Sequence, residues 1–100
     1  MRISDLYARG EPVVSFEFFP PKTDAGYASL AHTVADLKRL SPGFVSVTWG
    51  AGGSTRRKTI DLVVSIQREI GLTAMAHITC VGAPRIQLAD TLAHLASEGI

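Results

Sequence analysis

Short apolar runs and helical patterns alternate three times along this 100-residue chain, and that alternation narrows the available folds more than anything else in it. Residues 13–19, 44–48 and 74–80 each read as a strand. The first is stopped by Pro20-Pro21, because a proline has no N–H to give to a ladder. Over residues 24–40, Tyr27, Leu30, Val34 and Leu37 recur at intervals of three and four and so share one helical stripe, which Pro42-Gly43 ends. The turn Gly50-Ala51-Gly52-Gly53 and the possible cap Ser54 lead into a second helix over residues 55–70, with Ile60, Val63, Val64 and Ile70 inward and Gly71 as its stop. Pro84 opens a third helix carrying Ile86, Ala89, Leu92, Ala93 and Ala96 on one side and ending at Gly99. A short helix over residues 4–8, capped by Ser4, precedes the first strand. Strands alternating with helices through short links predict βαβ units, hence an α/β fold with a parallel sheet.

Which parallel architecture follows depends on side-chain alternation, since successive residues of a strand point to opposite faces. Ser15 and Glu17 share one face of the first strand, Ser46 and Thr48 one face of the second, and His77 and Thr79 one face of the third. The opposite faces carry Val14, Phe16 and Phe18, then Val45 and Val47, then Ala76, Ile78 and Cys80. A sheet covered by helices on both sides would read as nearly continuous apolar runs. One polar face in all three strands instead predicts a barrel wall, with helices outside and a ligand site near the C-terminal strand ends. The alternative is that these polar residues are satisfied within a core or face water at an edge. A (β/α)8 barrel takes about 250 residues and three of its units about 100, so residues 1–100 are expected to be the N-terminal part of one such domain, incomplete.

Composition removes several function classes. Ten Lys plus Arg stand against nine Asp plus Glu, giving a net charge of +1 without a run of either sign, so no broad field favours nucleic acid or anionic lipid. No apolar stretch approaches the roughly 20 residues of a membrane helix, and residues 1–10 lack a signal-peptide core. The single cysteine, Cys80, excludes an intramolecular disulfide, suits a reducing cytoplasm and is expected to pack toward the helices. His32 and His94 have no metal-ligand spacing with His77, and no metal is expected.

Glu17 is the outstanding position, because a carboxylate within an apolar strand is costly to bury alone. Burial would raise its pKa and fit it for general-acid work, while the competing role is a structural carboxylate paired to a distant cation. His77 suits a cofactor contact, acid–base work or a satisfied core position. The glycine-rich turn 50–53 can offer backbone N–H groups to a phosphate or flavin edge, yet matches no dinucleotide or Walker pattern and equally suits a plain strand-to-helix turn. Trp49 can cover a ring system or simply close the top of the strands.

Three segments together carry a resemblance. Ser15-Phe16-Glu17-Phe18-Phe19-Pro20-Pro21-Lys22, then Phe44-Val45-Ser46-Val47-Thr48-Trp49-Gly50-Ala51-Gly52-Gly53-Ser54-Thr55, then His77-Ile78-Thr79-Cys80 resemble the methylenetetrahydrofolate reductase family in order and spacing. The resemblance implies an oxidoreductase in which NADH or NADPH reduces bound FAD and the reduced flavin reduces 5,10-methylenetetrahydrofolate to 5-methyltetrahydrofolate. It implies that Glu17 is the catalytic acid that opens the folate's imidazolidine ring. Thr48 would lie near the site shared by nicotinamide and folate, and flavin contacts would fall to Trp49, Ala51 and His77. Trp49 stands where some relatives carry tyrosine. The family's Arg-Gly-Asp segment after strand four, and most residues holding the FAD tail, would follow Ile100. Residues 1–100 alone are therefore expected to bind FAD poorly and not to turn over. The expected partner is a folate substrate, with no nucleic acid or membrane, and the full-length protein is expected to be a cytoplasmic homo-oligomer. Competing readings are another flavin-dependent barrel oxidoreductase and a non-catalytic barrel fragment that self-associates.

Overall fold

The computed structural model describes residues 2–49 and 53–100, with side chains for all of these except 53–55. In chain order the elements are α1 (Ile3–Tyr7), β1 (Ser15–Phe18), α2 (Asp24–Leu37), β2 (Phe44–Val47), α3 (Gly53–Ser65), β3 (Ala74–Ala76) and α4 (Arg85–Ser97). The strands form one open parallel sheet in the order β1-β2-β3. Strand–helix alternation and a parallel sheet are thus as the sequence predicts, and no closed barrel is formed by these three strands.

The helix ends are set by local chemistry. The Thr23 side chain accepts a hydrogen bond from the Gly26 N–H at 3.0 Å, capping α2. Beyond Leu37 the helix tightens into a 3₁₀ turn, Lys38–Leu40, and stops where Ser41 turns left-handed at φ 51°, one residue before Pro42. α3 widens into a π turn, Ile66–Ile70, before Gly71 reverses the chain at φ 79° in the stop position expected of it. At the front of the chain the Arg2 N–H donates to the Asp5 carboxylate at 3.1 Å, so α1 begins ahead of Ser4. Leu6 packs where Gly43 must stay small, since a Cβ there would sit 2.8 Å from Val13 Cγ1 and 3.3 Å from Leu6 Cδ1.

The strands are shorter than the apolar runs that announce them. The ladder continues one residue past each regular strand, with the Thr48 N–H on the Phe18 carbonyl at 2.9 Å and the His77 N–H on the Val47 carbonyl at 3.0 Å. Past that point no ladder bond joins β3 to β2 among the described residues, so Ile78 to Cys80 lie outside the paired part of the sheet. Cys80 is exposed rather than packed against helices, because it lies beyond the paired part of its strand.

The core occupies one face of the sheet. Val45, Val47 and Ala74 are buried with Val34 of α2, Leu62 and Val63 of α3, Ile66 of its π turn, and Leu72, and Phe16, Phe18 and Ala76 pack against them. The alternation read from the sequence therefore separates the faces correctly. On α3 the innermost positions are Thr59, Leu62, Val63 and Ile66, a stripe turned from the expected Ile60, Val63, Val64 and Ile70. On α4 the difference is larger. Leu95 is buried, while Ile86 and Leu92 are 73% and 57% exposed, and the least exposed side of the helix is that of Leu88, Thr91 and Leu95. Its apolar residues run most of the way round, and a stripe chosen by periodicity does not say which side the neighbours take.

Gln67 fastens the third unit to the second. Its Nε2 donates to the carbonyls of Gly99 at 2.7 Å and Glu98 at 3.3 Å, and its Oε1 accepts from the Ala74 N–H at 3.2 Å.

Tyr27 packs against the core with its hydroxyl buried and unpartnered among the described residues. Burial, and then the nearby carboxylates of Asp61 and Asp24, hold its pKa above the ordinary 10.0. The protonated phenol is the form the fold favours, so no stability is lost to it below pH 10, while the unfolded chain ionises first as pH rises further. Tyr27→Phe is therefore expected to flatten the fall of the urea midpoint above pH 10. A variant whose alkaline decline parallels the parent's would show that this phenol does not contribute.

Candidate active site at the strand ends

The register brings residues from all three strands to the sheet face away from the helices. Glu17 of β1 pairs with Ser46 of β2, and Ser46 pairs with Met75 of β3. His77 lies two residues beyond Met75 and so on the same face. Neighbouring parallel strands stand about 4.8 Å apart, so Glu17 and His77 span roughly twice that across the small Ser46. Their side chains are long enough to meet over it. One carboxylate oxygen, Glu17 Oε2, receives the Ser46 hydroxyl at 3.3 Å and lies 3.4 Å from His77 Nε2.

This cluster contributes little to stability. The Glu17 and His77 side chains are 52% and 38% exposed, and a pair so open to water is worth about 0–1 kcal/mol even when the imidazole is charged. Ser46 differs, being 5% exposed in the middle strand. The arrangement holds a carboxylate in a fixed orientation at an open surface, with Glu17 Oε1 free of partners among the described residues.

Glu17 is less buried than the sequence led us to expect. The polar face on which it lies has no covering element among the described residues. Thr48 follows β2 on the same face, half-buried, and continuation of the register sets it abreast of His77. Trp49, the next residue, falls on the opposite side. It lines a cavity between α3 and α4 together with Arg56 and Leu88. Ala51 and most of the glycine-rich turn lie outside the described residues.

Ser46 belongs to the cluster but was singled out in the sequence only as a polar-face residue. Its signal was alternation, and register was needed to place it opposite Glu17. Phe19, 76% exposed just past β1, adds an open aromatic ring at the same strand ends. Among the described residues no group of three or more His, Cys, Asp or Glu is placed to hold a metal ion, and no helix is long and apolar enough to cross a membrane.

Comparison with known proteins adds to this geometry. The family model described as Methylenetetrahydrofolate reductase matches residues 2–100. A rice protein (Oryza sativa subsp. japonica) named "Probable methylenetetrahydrofolate reductase (NADH)" is 36% identical over 99 residues, which is 99% of this chain and 17% of the relative. The "5,10-methylenetetrahydrofolate reductase" of Pectobacterium carotovorum subsp. carotovorum is 39% identical over 92 residues, 92% of this chain and 31% of that protein. The protein of the same name from Escherichia coli (strain K12) is 41% identical over 75 residues, 75% of this chain and 25% of that protein. The chain thus spans less than a third of the length of these relatives.

Proposed function

The chain belongs to the methylenetetrahydrofolate reductase family, and from that premise we propose that residues 1–100 form the N-terminal part of a (β/α)8 barrel domain whose protein reduces 5,10-methylenetetrahydrofolate to 5-methyltetrahydrofolate. FAD is the proposed resident cofactor and NADH or NADPH the reductant. The observation that carries this reading is the single Glu17 oxygen shared by Ser46 and His77 on the open face of the sheet.

The residues present fit a flavin. Thr48 and His77, on adjacent strand ends and both partly exposed, offer a hydroxyl and an imidazole to the polar rim of a planar ring, while aliphatic side chains close the other face. Thr48 and His77 are the proposed contacts, with Trp49 and Ala51 added on family grounds. Bound FAD supplies the hydride relay from nicotinamide to folate.

The chain's own residues handle the proton. Ser46 and His77 anchor Glu17 Oε2, which leaves Oε1 to carry a proton to a nitrogen of the folate's imidazolidine ring. Protonation lets that carbon–nitrogen bond break, and the resulting iminium carbon is the centre that accepts hydride. Ser46, buried and in register with Glu17, keeps the carboxyl aimed along the strand ends. The protein is further proposed to be a cytoplasmic homo-oligomer, a setting that the exposed free thiol of Cys80 suits.

The test is made on the full-length protein. It is expected to purify with a stoichiometric flavin absorbance band and to form 5-methyltetrahydrofolate from the methylene compound in the presence of NADH or NADPH. A flavin band without that product would point to another flavin-dependent oxidoreductase. A soluble oligomer with no flavin would overturn the enzymatic reading.

A further inference from the structure

Phe19 stands at the outer end of the face that carries Glu17. Along β1 and the residue after it, exposure alternates without a break: Ser15, Glu17 and Phe19 are exposed, while Phe16 and Phe18 are half-buried against the core. The ladder still holds at that point, since the Thr48 N–H donates to the Phe18 carbonyl at 2.9 Å. Continuing the register places Phe19 abreast of Thr48, itself abreast of His77. These three form one row at the strand ends, and Glu17 and Ser46 lie in the row beneath, about 7 Å down the strands.

The backbone presents the ring rather than burying it. A residue before a proline is confined to extended conformations, and Pro20 and Pro21 each have a fixed φ. Pro21 is seated on the first turn of α2, where a Cβ added to Gly26 would come within 2.8 Å of the Pro21 Cβ. Phe19 is nonetheless 76% exposed, so most of its apolar surface meets water one pleat beyond Glu17. A single ring is far smaller than a protein-docking patch, but it matches one flat ring of a small molecule.

The functional reading above, on which this inference rests, has Glu17 Oε1 deliver a proton to a nitrogen of the imidazolidine ring. That ring joins the pterin to the p-aminobenzoyl group, and the p-aminobenzoyl group bears the charged glutamate tail. A charged tail keeps its hydration only toward the open strand ends, because burying an unpaired charge is costly. The p-aminobenzoyl ring therefore leaves Glu17 on the outer side, which is the side of Phe19. We propose that Phe19 is a substrate-binding residue whose ring stacks on the p-aminobenzoyl ring of the folate. The contact is made to a part of the substrate that does not react, so it strengthens binding equally before and at the transition state.

The full-length holoenzyme is tested with Phe19→Ala, which removes the ring, and Phe19→Tyr, which keeps it. Phe19→Ala is expected to raise the KM for 5,10-methylenetetrahydrofolate at least about tenfold, or about 1.4 kcal/mol. Its kcat and its KM for NADH or NADPH are expected to stay within about twofold of the parent, the pattern of lost uniform binding. Equilibrium dialysis of 5-methyltetrahydrofolate against the oxidised enzyme is expected to show the same weakening, with melting temperature and flavin content unchanged. Phe19→Tyr is expected to keep the parent's folate KM within about twofold, since a phenol stacks as a phenyl does. A parent that forms no 5-methyltetrahydrofolate would overturn the functional reading itself. With an active parent, an unchanged folate KM in Phe19→Ala, an equal rise in the nicotinamide KM, or a folate KM in Phe19→Tyr as high as in Phe19→Ala would overturn the role of Phe19 alone. So would a lowered melting temperature with loss of flavin, because protein rather than substrate would then cover the ring.

Discussion

Glu17→Gln in the full-length holoenzyme is expected to leave reduction of the flavin by NADH or NADPH within about twofold of the parent rate and to slow reduction of the folate by roughly 100- to 10,000-fold, the usual contribution of a positioned general acid. Glutamine keeps the shape of the side chain and still presents an oxygen to Ser46 and His77, so the local structure is retained. It has no acidic proton to give. Only the folate half-reaction needs that proton, because transfer from nicotinamide to flavin involves no ring opening at the substrate. The loss corresponds to about 3–5 kcal/mol of transition-state stabilisation. Stopped-flow measurement of the two half-reactions separates them, and equal slowing of both would rule out Glu17 as the donor.

The second large effect concerns folding. Ile66→Ala is expected to destabilise the chain by about 2–5 kcal/mol, the span seen when a buried branched side chain is cut back to a methyl. Ile66 is 1% exposed and packs among Val45, Val47, Val63, Leu72 and Ala74. Several of these are β-branched, with few rotamers available, so they cannot close readily over the space left behind. The residue's own backbone is also fixed, since its carbonyl accepts from the N–H groups of Gly71 at 3.0 Å and Leu72 at 3.4 Å. Single domains are stable by about 5–15 kcal/mol, so a loss of this size is a large one. Urea unfolding is expected to show a lower midpoint with an unchanged slope. Ile86→Ala, at a position 73% exposed, is the control and should stay within about 0.5 kcal/mol of the parent. Equal effects at the two positions would mean that the sheet–helix core is not what holds the chain folded.

Much of this organisation was legible in the sequence, for reasons particular to each element. The parallel sheet followed from alternation alone, and the one polar face followed from the period of two along 15–18 and 44–47. That Glu17, Ser46 and His77 share a face was expected from that period; that Ser46 and His77 meet the same Glu17 oxygen was not legible, because it depends on register between strands far apart in the chain. α4 was the weakest reading, since Ile86, Leu88, Leu92 and Leu95 spread apolar character around the helix and only its neighbours select a side. Strand lengths were overread at the C-terminal ends, and for β1 at its start as well, because an apolar run extends as far as its composition does, whereas a ladder extends only as far as its partner.

The Gln67 amide bonds the start of one strand and the last turn of the following helix from a position on the preceding helix. Neighbouring βα units of this chain are therefore not interchangeable bricks. A substitution there disturbs several seams together, and a segment transplanted from a relative keeps its grip only if the glutamine and the carbonyls it reaches travel as a set.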